Sequence, residues 1–223
     1  MTLARKKKNK IQILDYGSGN LYSIREAISR ASQEVEPVVD SSFDESACAL
    51  VLPGVGSFSS AQSILGQNRQ SILDAVLGRG VALLGICLGM QLLFEGSDEG
   101  RGEGLGLFKG HVRRFSPNGG AKVPHMGWNE AMFPSTRRSL IAQGTSRAEW
   151  AYYVHSFYPT PEEEGIVEAW TEYAGVRFPA LVSRGKIFGT QFHPEKSHIF
   201  GARIITNFVN LALGQRQDGD GST

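Results

Sequence analysis

Cysteine is scarce in this sequence: of 223 residues only Cys48 and Cys87 carry a thiol. Two cysteines cannot make a disulfide framework in a chain of this length, so the fold must rest on a hydrophobic core. Unpaired thiols point to a reducing compartment, the cytoplasm, and leave a cysteine free for chemistry. Net charge is almost absent too, with 23 Lys and Arg against 22 Asp and Glu. Such a balance carries no global signature of nucleic-acid binding. No run approaches the ~18–20 apolar residues of a membrane-spanning helix. Nor does any long Pro-, Gly- or Ser-rich linker or internal repeat divide the chain. What is present is 41% hydrophobic residues, enough at this length to bury one large core.

Three segments follow. Residues 1–10 form a basic tail carrying Arg5, Lys6, Lys7, Lys8 and Lys10. A solvated tail is its simpler reading; a targeting or anion-binding role is the other. No apolar stretch of a secretory signal follows it. Residues 11–213 form the domain, and residues 214–223 a polar tail.

Within the domain the first hundred residues alternate in period. Apolar runs at 11–15, 35–39, 47–52 and 81–86 read as strands; 21–28, 64–77 and 88–94 read as helices. The run at 81–86 is apolar throughout, as a strand covered on both faces would be. This alternation predicts a doubly wound parallel sheet. The later chain changes character. Short strands at 112–115, 129–133, 150–156, 166–170, 179–183 and 186–190 should add antiparallel strands to that sheet, before a closing helix over 201–213.

Chemistry concentrates at the strand ends. Gly85-Ile86-Cys87-Leu88-Gly89 sits where a buried strand meets a helix and has the G-x-nucleophile-x-G pattern of a nucleophile elbow. The following helix aims N–H groups at the thiol, which favours the thiolate. The bland alternative is a small core residue, which suits Cys48, in an apolar strand without such flanks. A cysteine nucleophile needs a base, and the base an orienting group. Of five histidines, His193 stands just past an apolar strand, and Glu195 follows within reach of its ring. The spacing His193, Glu195, His198 is not the H-E-x-x-H of a helical metal site, and Pro194 disfavours a helix there. Gly17-Ser18-Gly19-Asn20 lacks the third glycine of a dinucleotide fingerprint, and residues 100–106 lack a Lys-Ser/Thr ending, so both read as loops. Pro53-Gly54-Val55-Gly56 follows a buried strand parallel to the one feeding Cys87. A backbone N–H there is a candidate oxyanion donor.

Taken together, these residues resemble the class I, or triad-type, glutamine amidotransferases. GICLGMQLLF at 85–94 and GTQFHPEKS at 189–197 are similar to that family's two catalytic segments. DYGSGNLYSI at 15–24, PGVGSF at 53–58, KVPHMGWN at 122–129 and YYVHSFY at 152–158 resemble one branch, the glutaminase subunits of imidazole glycerol phosphate synthase. The resemblance spans residues 11–213 and implies a single-domain, doubly wound, flavodoxin-like α/β fold with a mixed sheet. It implies that Cys87 attacks glutamine, that His193 is general base and acid, and that Glu195 orients His193. Backbone N–H groups of Val55 and Leu88 would form the oxyanion hole, the Val55 peptide turning over before it donates. Gly54, Gln91, Ser156 and Phe157 would hold L-glutamine; the family more often has tyrosine at the position of Phe157. Asn20, Trp128, Tyr152 and Lys196 would face a (β/α)8 synthase subunit in a heterodimer that uses the ammonia in histidine biosynthesis. No cofactor, metal, nucleic acid or membrane enters that scheme. Other triad glutaminases, a non-catalytic subunit on the same scaffold, and a cysteine hydrolase or stress protein with a similar elbow each lack a reason for one or more of these motifs.

Overall fold

A computed structural model describes residues 8–17, 21–116, 122–134 and 139–215. The chain runs β1 (Asn9–Leu14), α1 (Tyr22–Ala31), β2 (Val35–Asp40), β3 (Ala49–Leu52), α2 (Phe58–Leu73), β4 (Ala82–Ile86) and α3 (Leu88–Gln91). Short strands β5 (Gly96–Ser97), β6 (Gly100–Glu103) and β7 (Gly110–Arg114) follow, then β8 (His125–Met132), β9 (Ala148–His155) and β10 (Phe157–Pro161). β11 (Val167–Tyr173), β12 (Val176–Arg184), β13 (Ile187–Thr190) and α4 (His198–Ala212) complete it.

The main sheet has nine strands in the order β2-β1-β3-β4-β13-β12-β11-β8-β9. From β2 to β13 the pairs are parallel; from β13 to β9 they are antiparallel. The expected mixed, doubly wound α/β architecture is therefore the observed one. Strands β3 and β4 are apolar at every position because both faces are covered. In β3, Ala49 and Val51 face the core shared with Ile24 and Ile28 of α1 and Ile204, Ile205 and Phe208 of α4. Leu50 and Leu52 face the core shared with Phe58, Ala61, Leu65 and Ile72 of α2. Burying each such large side chain is worth about 1.5–3 kcal/mol, so the two cores hold the sheet from both sides. Among the described residues no helix is long and apolar enough to cross a membrane.

Four expectations need correction. The helix expected over 64–77 starts at Phe58, because Ser57 and Ser60 form a capping box ahead of the apolar periodicity, and ends its α-helical part at Leu73, with a π-helical turn over Asp74–Gly78. The helix expected over 88–94 is the single turn α3, ended where residues 92–95 turn toward the small sheet. Residues 100–103, expected as loop, are strand β6. And the strand expected at 112–115 does not join the main sheet: β7 belongs to a separate four-stranded sheet, β10-β7-β5-β6.

Register decides where the functional ends fall. Ile86 of β4 pairs with Thr190 of β13, and Gly85 pairs with Leu52 of β3. Three segments thus leave the sheet side by side: Pro53-Gly54-Val55-Gly56, Cys87-Leu88-Gly89 and Gln191-Phe192-His193. The antiparallel half curls back over them. His193 donates its backbone N–H to the Tyr152 carbonyl of β9 at 2.9 Å, and the Cys87 sulfur lies 3.7 Å from the Val154 carbonyl.

Candidate active site

Cys87 occupies a backbone conformation that L-residues rarely adopt, with φ 48° and ψ −103°. Its own N–H is anchored on the Thr190 carbonyl at 2.6 Å. The flanking glycines serve close approach rather than φ freedom. A Cβ on Gly85 would collide with the backbone of Gly89, and one on Gly89 with the backbone of Leu52. Neither glycine has positive φ; the strain sits on Cys87 itself. Because α3 has four residues, it has almost no macrodipole to offer the thiol. What remains is local: first-turn N–H groups, Leu88 among them, that have no intrahelical acceptor.

His193 and Glu195 meet as the spacing predicts, Nδ1 to Oε1 at 2.8 Å, with both side chains nearly buried. A carboxylate only accepts, so Nδ1 carries the proton and Nε2 is left to act on a neighbour. Nε2 and Glu195 Oε2 are both buried without hydrogen-bond partners. Burial opposes charge on His193, but the charge of a Cys87 thiolate and the Glu195 carboxylate outweigh it, pushing its pKa up to about 10. Cys87 acts on it chiefly through charge, since Nε2 forms no hydrogen bond in this geometry. A thiol, an imidazole and an orienting carboxylate so placed can form a thiolate–imidazolium pair.

Gly54 lies against both. A Cβ there would come 2.8 Å from His193 Cε1 and 2.9 Å from Cys87 Cβ. Val55 follows, half-buried, beside Gly56 at φ 90°. Gln91 is buried in α3 and donates through Nε2 to the Phe157 carbonyl at 2.9 Å. Ser156 is half-buried, its carbonyl held by the Phe115 N–H at 3.0 Å. Trp128 and Tyr152 are paired on β8 and β9, rings 6.0 Å apart, and Lys196 Nζ lies 5.7 Å from the Tyr152 ring centroid. Trp128 also stacks on His198 and is 43% exposed. Asn20 lies outside the described residues.

His193 and His198 are thus engaged separately, and among the described residues no three His, Cys, Asp or Glu side chains gather as metal ligands. Cys48 is half-buried, its thiol pKa raised by burial. Two features stood outside the expected site: Gln191, whose Nε2 donates to the Cys87 sulfur at 3.5 Å, and the buried pair His125 and His155. Gln191 stands inside the same motif as His193, and that adjacency was the available signal.

The profile of the class-I glutamine amidotransferases matches residues 12–211. A protein of Geobacillus kaustophilus described as imidazole glycerol phosphate synthase subunit HisH is 45% identical over 211 residues, covering 92% of this chain and 98% of its own. A HisH subunit of Halobacterium salinarum is 45% identical over 213 residues, covering 92% and 94%. Among solved structures, PurLQS of Thermotoga maritima superimposes with a TM-score of 0.70 at 19% identity, covering 92% of this chain and 99% of that one. Another, described as a glutamine amidotransferase, gives a TM-score of 0.66, also at 19% identity, over 92% and 98%. At that identity the likeness speaks for the fold alone. The fold, the strained elbow and these sequence relationships agree: the chain belongs to the class-I glutamine amidotransferases, in the branch of the HisH subunits of imidazole glycerol phosphate synthase.

Proposed function

We propose that this chain is the glutaminase subunit of an imidazole glycerol phosphate synthase. It hydrolyses L-glutamine to glutamate and ammonia and hands the ammonia to a (β/α)8 synthase subunit bound to it as a heterodimer. There the ammonia enters imidazole glycerol phosphate, with an aminoimidazole carboxamide ribotide released. The observation that carries this is Cys87, strained at φ 48° and sharing the space around Gly54 with His193, which is bonded to Glu195.

The chemistry follows from those groups. Cys87 sulfur attacks the side-chain amide carbon, and a C–S bond forms as the carbonyl becomes an oxyanion. The N–H groups of Leu88 and Val55 receive that charge. His193 gives a proton to the leaving nitrogen, the C–N bond breaks, and ammonia departs from a glutamyl thioester. Water then attacks the thioester, His193 takes its proton, and glutamate leaves with the thiolate restored. Glu195 keeps the ring aligned throughout. Gly54, Gln91, Ser156 and Phe157 hold the substrate's α-amino and carboxylate groups. The scheme uses a thiol, an imidazole and water, with no metal or cofactor. A reducing cytoplasm keeps Cys87 available. Trp128, Tyr152 and Lys196 form a surface of the chemistry that anchors partners, two rigid aromatics beside a cation.

The test is Cys87→Ala in the complex with the synthase subunit. Glutamine-dependent synthesis should vanish while synthesis from added ammonium persists. Loss of both, or of neither, counts against the assignment.

A further inference from the structure

Two buried histidines stand apart from the triad. His125 of β8 and His155 of β9 are paired in register, with His125 Nδ1 2.9 Å from His155 Nε2. At one end Asn129 Nδ2 lies 3.3 Å from His125 Nε2 and donates to the Glu172 carbonyl at 2.9 Å. At the other, His155 Nδ1 lies 2.8 Å from the Phe157 carbonyl oxygen. A carbonyl only accepts, so both ends dictate the same proton positions. Phe157 requires the proton on His155 Nδ1, and His155 Nε2 must then accept from His125 Nδ1. Glu172 requires the amide nitrogen of Asn129 where it is, and His125 Nε2 must accept from it. Every link holds only while both rings are neutral. Burial keeps them so, pushing His125 down to about 4 and His155 to about 3.

The Phe157 carbonyl is where this chain meets the site. It also accepts Gln91 Nε2 at 2.9 Å. The Gln91 amide nitrogen reaches Gln191 Oε1 at 3.3 Å, and Gln191 Nε2 donates to the Cys87 sulfur at 3.5 Å. A glutamine amide is nearly symmetric in shape, so only its hydrogen-bond partners decide which way it points. Apolar side chains would fill the space of the two imidazoles without desolvating four ring nitrogens. What the imidazoles add is a directed N–H on one carbonyl.

We infer that His155, backed by His125, is a positioning residue for glutamine hydrolysis: its Nδ1–H fixes the Phe157 carbonyl, and through it the Gln91 and Gln191 amides beside the Cys87 sulfur. The inference rests on the glutaminase reading and extends it to residues that touch no substrate. Without that N–H the carbonyl has one donor in place of two, and the Gln91 amide loses its fixed anchor.

The experiment compares His155→Asn, His155→Gln and His155→Phe in the complex with the synthase subunit. Glutamate release, ammonium-dependent synthesis and thermal unfolding are followed for each. Asn places an amide N–H near the Nδ1 position; Gln reaches the Nε2 position instead; Phe keeps only the volume. Asn should stay within about fivefold of wild type in kcat/KM for glutamine, while Gln and Phe fall by about 10²-fold, as misplacing a positioned group does. The loss should fall mostly in KM, because Gln91 is one of the groups assigned to hold the substrate. Ammonium-dependent synthesis should persist in all three. Equal losses in Asn and Gln that track the fall in unfolding temperature would show a packing role and overturn the inference, as would a fully active Phe variant. If Phe does not fold, the contrast between Asn and Gln decides alone. A wild-type complex that releases no glutamate overturns the glutaminase reading, and this inference with it.

Discussion

At Cys87 two kinds of cost meet. Its φ of 48° is one of three non-glycine positive values among the described residues, the others being at Ala174 and His198. Such a conformation costs about 1–3 kcal/mol and persists only where the surroundings enforce it. Here the enforcement is visible in the glycine contacts and in the bond to Thr190. His193 is coupled to the same residue by charge, which gives a measurable consequence. In Cys87→Ala the thiolate that helps hold its proton is gone, so the His193 titration should move down from about 10, read by NMR of the ring protons. An unchanged midpoint would sink the ion-pair account. The sign for stability follows from linkage. A histidine pKa raised in the folded state contributes stability that is fully present below its usual value of about 6.5 and is lost as pH rises through about 10. Because the folded thiolate has already given up its proton, the net loss falls where the unfolded thiol has also ionised. Wild type should therefore lose stability relative to Cys87→Ala between about 8.5 and about 10, measured by denaturant unfolding at a series of pH values. Gly54 belongs to the same scale. With a Cβ 2.8 Å from His193 and 2.9 Å from Cys87, Gly54→Ala should cut glutamine hydrolysis by about 10²-fold, since small displacements of reacting groups cost that much.

Among the elements, strand ends and caps carried most of the legible signal. Strands β3 and β4 announced themselves by unbroken apolar runs, and the elbow by glycines on both sides of one cysteine. Element lengths were less legible. α2 begins at a serine capping box whose residues carry no apolar period, and α3 ends after one turn although Leu92, Leu93 and Phe94 continue an apolar pattern. Those three are core residues all the same, since the turn beyond α3 buries them against α2. The cap itself is testable. Ser57→Ala should lower stability by about 1 kcal/mol, as loss of an N-cap side chain does, read as a shift in denaturation midpoint. Because Ser57 directly follows Gly56, no change in that midpoint would mean the segment is held from the Gly54 side instead.

For the molecule as a whole, the exposed Trp128 and its half-buried neighbour Tyr152 lie on the strands that curl back over Cys87, so one surface is tied by backbone to the candidate site. The tie is short: Tyr152 receives the His193 N–H on its carbonyl, while its ring sits under Lys196. Trp128→Ala should weaken binding of the synthase subunit by about 10–100-fold, in the range of an aromatic anchor, measured by titration calorimetry. Unaltered affinity would move the interface elsewhere on the surface.

The sequence by itself determined the alternating α/β architecture and the candidate nucleophile and base, because hydrophobic period and glycine spacing are local properties of a chain. Cys87, His193 and Glu195 were legible as candidates for that reason, and the last two are near neighbours in the sequence. Tertiary structure alone decided that β9 returns to the site, that β7 and β10 leave the main sheet, and that Asn129, His125 and His155 line up toward Phe157. Those facts depend on strand register and on the curl of the antiparallel half, which pair residues 30 positions apart, as His125 and His155 are, and no local pattern records such a pairing.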